Sequence, residues 1–119
     1  MVQSDHEQVI STVMDYFEGW FDGDADRMKR ALHPSLAKRA LEADGRALNQ
    51  TTADEMIDAT AAGRGRERDT ADRRIEVEVD DIHGSIATAT VRSNVYREYL
   101  HLARTRDGWK IVNSLWDWA

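Results

Sequence analysis

The stretch IEVEVDDIHGSIATATVRSNVYREYLHLARTRDGWKIVNSLWDW, residues 75–118, alternates apolar and polar side chains along most of its length. A period of two residues is typical of β-strands that bury one face. We predict four strands, at 75–79, 86–95, 96–105 and 109–118, joined by turns at His83-Gly84 and Asp107-Gly108.

The residues upstream of these strands have the spacing of a helix. Between 4 and 21 the apolar side chains recur every three or four residues, which places them on one stripe; they are Val9, Ile10, Val13, Met14, Phe17, Trp20 and Phe21. Gly23 ends this helix, and Asp24 caps a second, shorter helix that stops before Pro34. In this interpretation His33 terminates the second helix.

A third helix and a short hairpin complete the amino-terminal half. Thr52 and Glu55 form a capping box, so we predict a helix over 53–62. Asp44-Gly45 is a strong hairpin signal. Three helices followed by a run of antiparallel strands predict an α+β domain, with the helices packed on one face of a curved sheet.

Length and composition restrict the class of protein. The chain has 119 residues, no cysteine and a formal net charge of −6. Two halves of so short a chain could not each bury a core, so we expect one domain over 1–119. The negative charge repels phosphate backbones, and no apolar run approaches the ~20 residues that cross a bilayer. We therefore expect a cytoplasmic protein with neither a nucleic-acid nor a membrane partner.

Neither cysteine nor histidine provides the pattern of a metal site. The absence of cysteine excludes thiolate-held metals, and the four histidines show no i, i+4 pair and no HExxH grouping. We therefore predict no metal and no cofactor.

Four segments resemble a known family. Residues 16–24 (YFEGWFDGD) and 31–39 (ALHPSLAKR) resemble the amino-terminal signature of the putative lumazine-binding group. Residues 98–102 (EYLHL) and 108–113 (GWKIVN) resemble its paired final strands. This group belongs to the nuclear transport factor 2-like superfamily, together with the SnoaL-like polyketide cyclases and the ketosteroid isomerases.

The resemblance implies a particular version of the α+β fold. It is the cone-shaped, cystatin-like one, in which a curved antiparallel sheet wraps around the first helix and packs on three amino-terminal helices. It also implies a pocket between helices and sheet, and a homodimer formed through the outer face of the sheet.

The ketosteroid isomerases allow a comparison residue by residue. Those enzymes combine a carboxylate base with an oxyanion hole of a tyrosine and a protonated aspartate. Aligned on the Gly23-Asp24 corner, the tyrosine corresponds to Tyr16 and the second donor to about His101. The base falls near Ala40, where no carboxylate stands, and Glu42 would need a shifted alignment. Because a missing base costs roughly two to four powers of ten in rate, this comparison argues against an enzyme.

The same residues are suited to a binding pocket. Tyr16 and Trp20 lie four residues apart on one helix face, and we expect Met56 opposite them. Two strands would add polar and aromatic side chains, namely Tyr99 and His101 on one and Ser114 and Trp116 on the next. For Trp20 and Met56, simple packing in the core stays an alternative. Trp109 is expected in the core or in a dimer contact.

Three functions follow from these residues. The first is a small-molecule-binding domain that encloses an apolar or aromatic ligand, with Tyr16 and His101 as hydrogen-bond partners. The second is an isomerase, cyclase or dehydratase in which Tyr16 and His101 are the oxyanion donors and Glu42 is a weak candidate base. The third is a dimeric association module whose cavity is filled by its own side chains.

Overall fold

The computed structural model describes residues 3–119. Three α-helices and six β-strands follow one another in the order α1 (Asp5–Asp22), α2 (Ala25–Ala31), β1 (Leu32–Leu41), β2 (Leu48–Thr51), α3 (Ala53–Ala61), β3 (Ile75–His83), β4 (Ile86–Ser93), β5 (Tyr96–Thr105) and β6 (Gly108–Trp118). A single 3-10 turn, Arg66–Arg68, lies between α3 and β3. No helix within the described residues is long and apolar enough to cross a membrane.

Helix α1 begins and ends close to the predicted residues. The Ser4 side chain accepts a hydrogen bond from the Glu7 amide, and Gly23 ends the helix in the left-handed region at φ 70°. A residue with a Cβ would be strained at that φ, which is why glycine suits the corner between α1 and α2. Four residues of the apolar stripe, Val9, Val13, Phe17 and Phe21, are buried and the other three are half-buried, so the predicted helix is confirmed.

The prediction that His33 terminates α2 is wrong. Helix α2 ends at Ala31, and β1 begins at Leu32, so His33 and Pro34 both lie within a strand. The residue before a proline is restricted to extended backbone, which places His33 in β1. Its Nδ1 accepts a 3.0 Å hydrogen bond from the Ser35 amide.

The hairpin and the third helix are confirmed. Strand β1 pairs with β2 in antiparallel fashion, with Leu41 opposite Leu48. Helix α3 begins with the complete capping box of Thr52 and Glu55. The box satisfies two backbone donors that the first turn of a helix would otherwise leave unpaired.

The sheet is curved, unclosed and mixed. Its strand order is β2-β1-β6-β5-β4-β3. Strand β1 runs parallel to β6, whereas every other neighbouring pair is antiparallel. The expectation of an all-antiparallel sheet is therefore corrected at this one pair, because alternation along a strand does not reveal the direction of its partner.

The helices cover the inner face of the sheet and form one core with it. Buried side chains of α1, including Val9, Val13 and Phe17, pack with inward-facing strand residues such as Leu100 and Ile111. Trp109 is also buried there, and its indole Nε1 donates a 3.1 Å hydrogen bond to Asp5 Oδ1. Trp109 therefore belongs to the core, next to the amino-terminal end of α1.

Candidate functional site

A cavity of about 980 Å³ is lined by residues of the second half of α1, of α3 and of the inner face of the sheet. Its walls are aromatic and aliphatic around a small polar centre, with charged side chains among the rest of the lining; the central residues are Tyr16, Trp20, Lys38, Met56, Glu98 and Trp116. Ligand sites usually measure several hundred Å³. The volume argues against the association module, whose own side chains would fill the interior.

Tyr16 and Glu98 form the polar centre of the cavity. The Tyr16 hydroxyl donates a 2.9 Å hydrogen bond to Glu98 Oε1, and the Ser114 hydroxyl donates a second, of 2.8 Å, to the same oxygen. Tyr16 and Glu98 are each 3% exposed. A carboxylate this deeply buried needs such donors to offset its lost hydration.

Lys38 extends this centre from strand β1. Its Nζ donates a hydrogen bond to the Tyr16 hydroxyl and lies 3.8 Å from Glu98 Oε1. The same nitrogen lies 5.0 Å from the centroid of the Tyr16 ring and 5.4 Å from that of Trp116. Lys38, Tyr16, Glu98 and Ser114 therefore form one connected set, named here the buried polar cluster.

Burial changes the acidity of two members of this cluster. Desolvation raises the pKa of Tyr16 well above its ordinary value, and the charge of the Glu98 carboxylate raises it further. Desolvation also lowers the pKa of Lys38, although the attraction of Glu98 opposes this change. The phenol of Tyr16 therefore stays protonated, and Lys38 loses its proton more readily than an exposed lysine.

One oxygen of Glu98 faces the cavity. Both hydrogen bonds to this carboxylate, and its contact with Lys38, involve Oε1. Among residues 3–119, no fully buried side-chain nitrogen or oxygen lacks a hydrogen-bond partner. Because Oε2 accepts no such bond and Glu98 lines the cavity, this oxygen is open to a bound molecule.

Aromatic rings also line the cavity. The Trp20 indole donates a 3.0 Å hydrogen bond to the Tyr96 hydroxyl. The Tyr96 ring stacks on Trp118 at 5.3 Å between centroids and meets Trp116 edge to face at 5.6 Å. The guanidinium of Arg68 lies 4.9 Å from the Trp118 ring centroid. These contacts hold flat, apolar surfaces in fixed positions.

The segment 63–68 closes one side of the cavity by a tight approach to α1. A Cβ placed on Gly65 would lie 2.6 Å from both the carbonyl carbon and the ring carbon Cδ2 of Trp20. Only glycine permits this approach. The neighbouring Arg64, Glu67 and Arg68 line the cavity.

The structure brings together most of the predicted pocket residues. Tyr16, Trp20, Met56 and Trp116 line the cavity, and Ser114 is bonded to Glu98 behind them. Trp20 and Met56 also pack against the hydrophobic core. The prediction of a pocket position and the alternative of core packing therefore each describe part of their surroundings.

The placement of Tyr99 and His101 in the pocket is wrong. Both lie on the outer face of β5, where Tyr99 is 52% exposed and His101 contacts Asn113 through Nδ1 at 3.2 Å. Successive side chains of a strand point to opposite faces of the sheet. The prediction assigned Tyr99 and His101 to the inner face of β5, whereas both lie on its outer face. The oxyanion role predicted for His101 is therefore incompatible with the fold.

Neither of the two positions considered for a carboxylate base, Ala40 and Glu42, places a carboxylate in the cavity. Glu42 is exposed and follows the end of β1, and Ala40 has no functional group. The β1 side chain that reaches the polar centre is Lys38, two residues before Ala40. Within residues 3–119, no group of three or more acidic or histidine side chains is placed to hold a metal ion.

Sequence reasoning missed Lys38 and Glu98. Neither was among the predicted pocket residues, and most lysines and glutamates are exposed. A signal for Glu98 existed, because Tyr96, Leu100 and Leu102 alternate as apolar residues and place Glu98 on the same inward face.

The fold is shared with many solved structures, several of which are described as NTF2-like. An NTF2-like protein of unknown function from Silicibacter pomeroyi is 15% identical over 98% of this chain and 100% of its own, with a TM-score of 0.72. A ketosteroid isomerase-like protein from Erwinia carotovora atroseptica is 14% identical over 98% of each chain, with a TM-score of 0.69.

A third similar structure is described as a putative dehydratase of the NTF2-like family from Streptomyces avermitilis. It is 16% identical over 97% of this chain and 96% of its own, with a TM-score of 0.66. At such identities the likeness shows the fold alone. Among curated proteins none matches the chain.

The chain belongs to the family described as putative lumazine-binding, whose model matches residues 4–117. The family description and the fold together indicate a ligand-binding domain.

Proposed function

We propose that this protein binds an apolar, aromatic or polycyclic small molecule in the cavity between α1, α3 and the sheet. The observation that carries the proposal is the buried polar cluster, whose Tyr16, Lys38 and Glu98 line a cavity of about 980 Å³ together with aromatic, aliphatic and further charged side chains. Ligand sites in proteins commonly combine apolar walls with a few convergent polar groups.

The cavity offers a flat ligand two kinds of contact. Trp20 and Trp116 supply aromatic surface, and Met56 supplies an adaptable apolar one. At the polar end, Lys38 offers N–H donors and Glu98 Oε2 offers an acceptor. A carbonyl or hydroxyl on the ligand edge would satisfy these groups, with Lys38 taking the place that the sequence had suggested for His101.

The family description supports a heterocycle as the first probe. A lumazine is a flat bicyclic compound that carries carbonyl and N–H groups on its edge, and its shape and polarity suit this combination of walls and centre. Naphthylmethanol, a bicyclic compound with one hydroxyl, is a second probe that tests the apolar walls with less polar contact.

Tryptophan fluorescence tests the proposal, since Trp20, Trp116 and Trp118 line the cavity. We expect saturable quenching by at least one probe. Trp116→Ala and Tyr16→Phe should each weaken binding about 5- to 30-fold, equivalent to about 1–2 kcal/mol. Tyr99→Phe is the matched control, because it removes the same hydroxyl from the outer face. Equal affinity in all four proteins would overturn the assignment.

A second function, catalysis of the isomerase or dehydratase type, is favoured by the open oxygen of Glu98. A carboxylate oxygen facing the cavity next to the protonated Tyr16 places a proton acceptor beside a donor. Turnover of an enolisable bicyclic ketone that is lost in Glu98→Gln would support this function. Turnover retained in both Glu98→Gln and Tyr16→Phe would exclude the mechanism.

The outer face of the sheet supports the proposed homodimer. Tyr99 of β5 lies opposite Leu115 of β6 in the sheet register, and each is 52% exposed. Two such faces could cover each other's apolar side chains. The cytoplasmic location and the absence of nucleic-acid and membrane partners stay predictions from composition and charge.

A further inference from the structure

Lys38 differs from the other lysines of the chain. The sequence contains three, Lys29, Lys38 and Lys110. Lys29 is exposed on α2, and Lys110 donates to the backbone oxygen of Arg30 on the surface. Lys38 alone among them is buried, lines the cavity and contacts a phenol and a carboxylate.

These surroundings meet the requirements for a nucleophilic amine. Such an amine needs a neutral nitrogen, a group that moves protons to and from oxygen, and a site that holds the carbonyl compound. Burial lowers the pKa of Lys38 and so enlarges its neutral fraction. The Tyr16 hydroxyl touches Nζ and is kept protonated by its surroundings. The aromatic walls beside Nζ can hold a ring that carries the carbonyl group.

We propose that Lys38 forms an imine with an aromatic aldehyde or ketone bound in the cavity, with Tyr16 as the proton relay. This inference rests on the proposed function, because it requires the same cavity to bind an aromatic ligand. It narrows the ligand class to compounds with a reactive carbonyl group.

The step balances without any further reactant. The Nζ lone pair forms a bond to the carbonyl carbon, and the C=O π pair moves to oxygen. Nζ gives one proton to the Tyr16 oxygen while the phenol proton passes to the new oxygen, which yields a carbinolamine. Tyr16 then protonates the hydroxyl, the C–O bond breaks, and water leaves. Loss of the second Nζ proton to Tyr16 completes the C=N bond.

Reductive trapping of the full chain tests the inference. The protein is incubated with naphthaldehyde and cyanoborohydride, which near neutral pH reduces an imine in preference to the free aldehyde, and the modified lysines are identified by peptide mass spectrometry. We expect trapping at Lys38 to exceed that at Lys29 and Lys110 at least about tenfold, because the cavity holds the aldehyde next to Nζ and burial enlarges the neutral fraction of this amine. Excess naphthylmethanol, which cannot form an imine, should protect Lys38 alone.

Lys38→Met, with Lys29→Met as its matched control, provides a second test. Preferential trapping that disappears in Lys38→Met and persists in Lys29→Met supports the inference. If Lys38→Met does not fold, identifying the modified lysines in the unaltered chain still decides the question. If all three lysines are trapped equally while naphthylmethanol still binds in the cavity, the imine proposal is overturned and the proposed binding function is retained. Binding of neither compound, nor of a lumazine, overturns both.

Discussion

Tyr16 on α1 and Glu98 on β5 are joined by a 2.9 Å hydrogen bond between side chains that lie 82 residues apart in the chain. The bond connects the first helix to the middle of the sheet, and both residues are almost completely buried. It therefore contributes to stability as well as to the shape of the cavity.

Tyr16→Phe should lower the free energy of unfolding by about 1.5–3 kcal/mol, the usual contribution of a hydrogen bond to a charged group. The phenyl ring would still fill the same space, so the loss reflects the hydroxyl. Urea unfolding followed by circular dichroism measures this difference. Tyr99→Phe, on the outer face, should change stability by less than about 0.5 kcal/mol. Equal stability of both variants would show that the Tyr16 bond contributes little.

Lys38 and Tyr16 should make stability depend on pH in the alkaline range. The folded-state pKa of Lys38 is below its ordinary value of 10.5, so at pH values between the two the unfolded chain binds more protons and stability rises with pH. The pKa of Tyr16 is raised above 10.0, so above that pH the folded chain retains a proton that the unfolded chain loses, and stability falls.

Urea unfolding between about pH 7 and pH 11 tests both directions. Lys38→Met should remove the Lys38 contribution to the rise, whereas Lys29→Met should keep it, since Lys29 is exposed. An identical profile in these two variants would contradict the altered pKa of Lys38.

Gly65→Ala should destabilise the protein by about 1–3 kcal/mol or more, as overpacked sites do. At φ −68° alanine fits the backbone and would ordinarily stabilise a glycine position by about 0.4–1 kcal/mol, so a loss would come from the clash with Trp20. Thermal unfolding measures the effect. The control is Gly45→Ala, which places its Cβ in open space but at φ 72°, and should cost roughly 1–2 kcal/mol through backbone strain alone. Retained stability in Gly65→Ala would mean that segment 63–68 moves freely.

Much of the fold could be predicted from the sequence because its signals are local. The capping box of Thr52 and Glu55 and the three- or four-residue spacing of the α1 apolar side chains are short-range patterns, and the structure reproduces them. The parallel pairing of β1 with β6 could not be predicted, because it joins strands more than 60 residues apart in the chain.

The candidate site was harder to predict than the fold. Tyr16, Trp20, Met56 and Trp116 carry aromatic or apolar side chains, and residue spacing together with the family resemblance placed them toward the pocket. Lys38 and Glu98 are charged, and only their mutual contacts in the folded chain explain their burial.

If the protein is a homodimer, a charged substitution on the outer face of the sheet should lower its mass in solution. Leu115→Glu would place a charge among side chains that a partner would cover, and we expect a monomer where the unaltered chain is a dimer. Analytical ultracentrifugation at several concentrations distinguishes the two. Ala61→Glu, exposed on α3, is the control and should leave the mass unchanged. A monomeric unaltered chain would refute the dimer.

Binding inside the cavity is tested most directly by the indole N–H signals in a nitrogen-edited NMR titration with a lumazine and with naphthylmethanol. Trp20, Trp116 and Trp118 line the cavity, whereas Trp109 is bonded to Asp5 in the core. We predict that a bound probe shifts the first three signals at saturating concentration and leaves that of Trp109 in place. Shifts confined to Trp109, or no saturable shift with either compound, would contradict it.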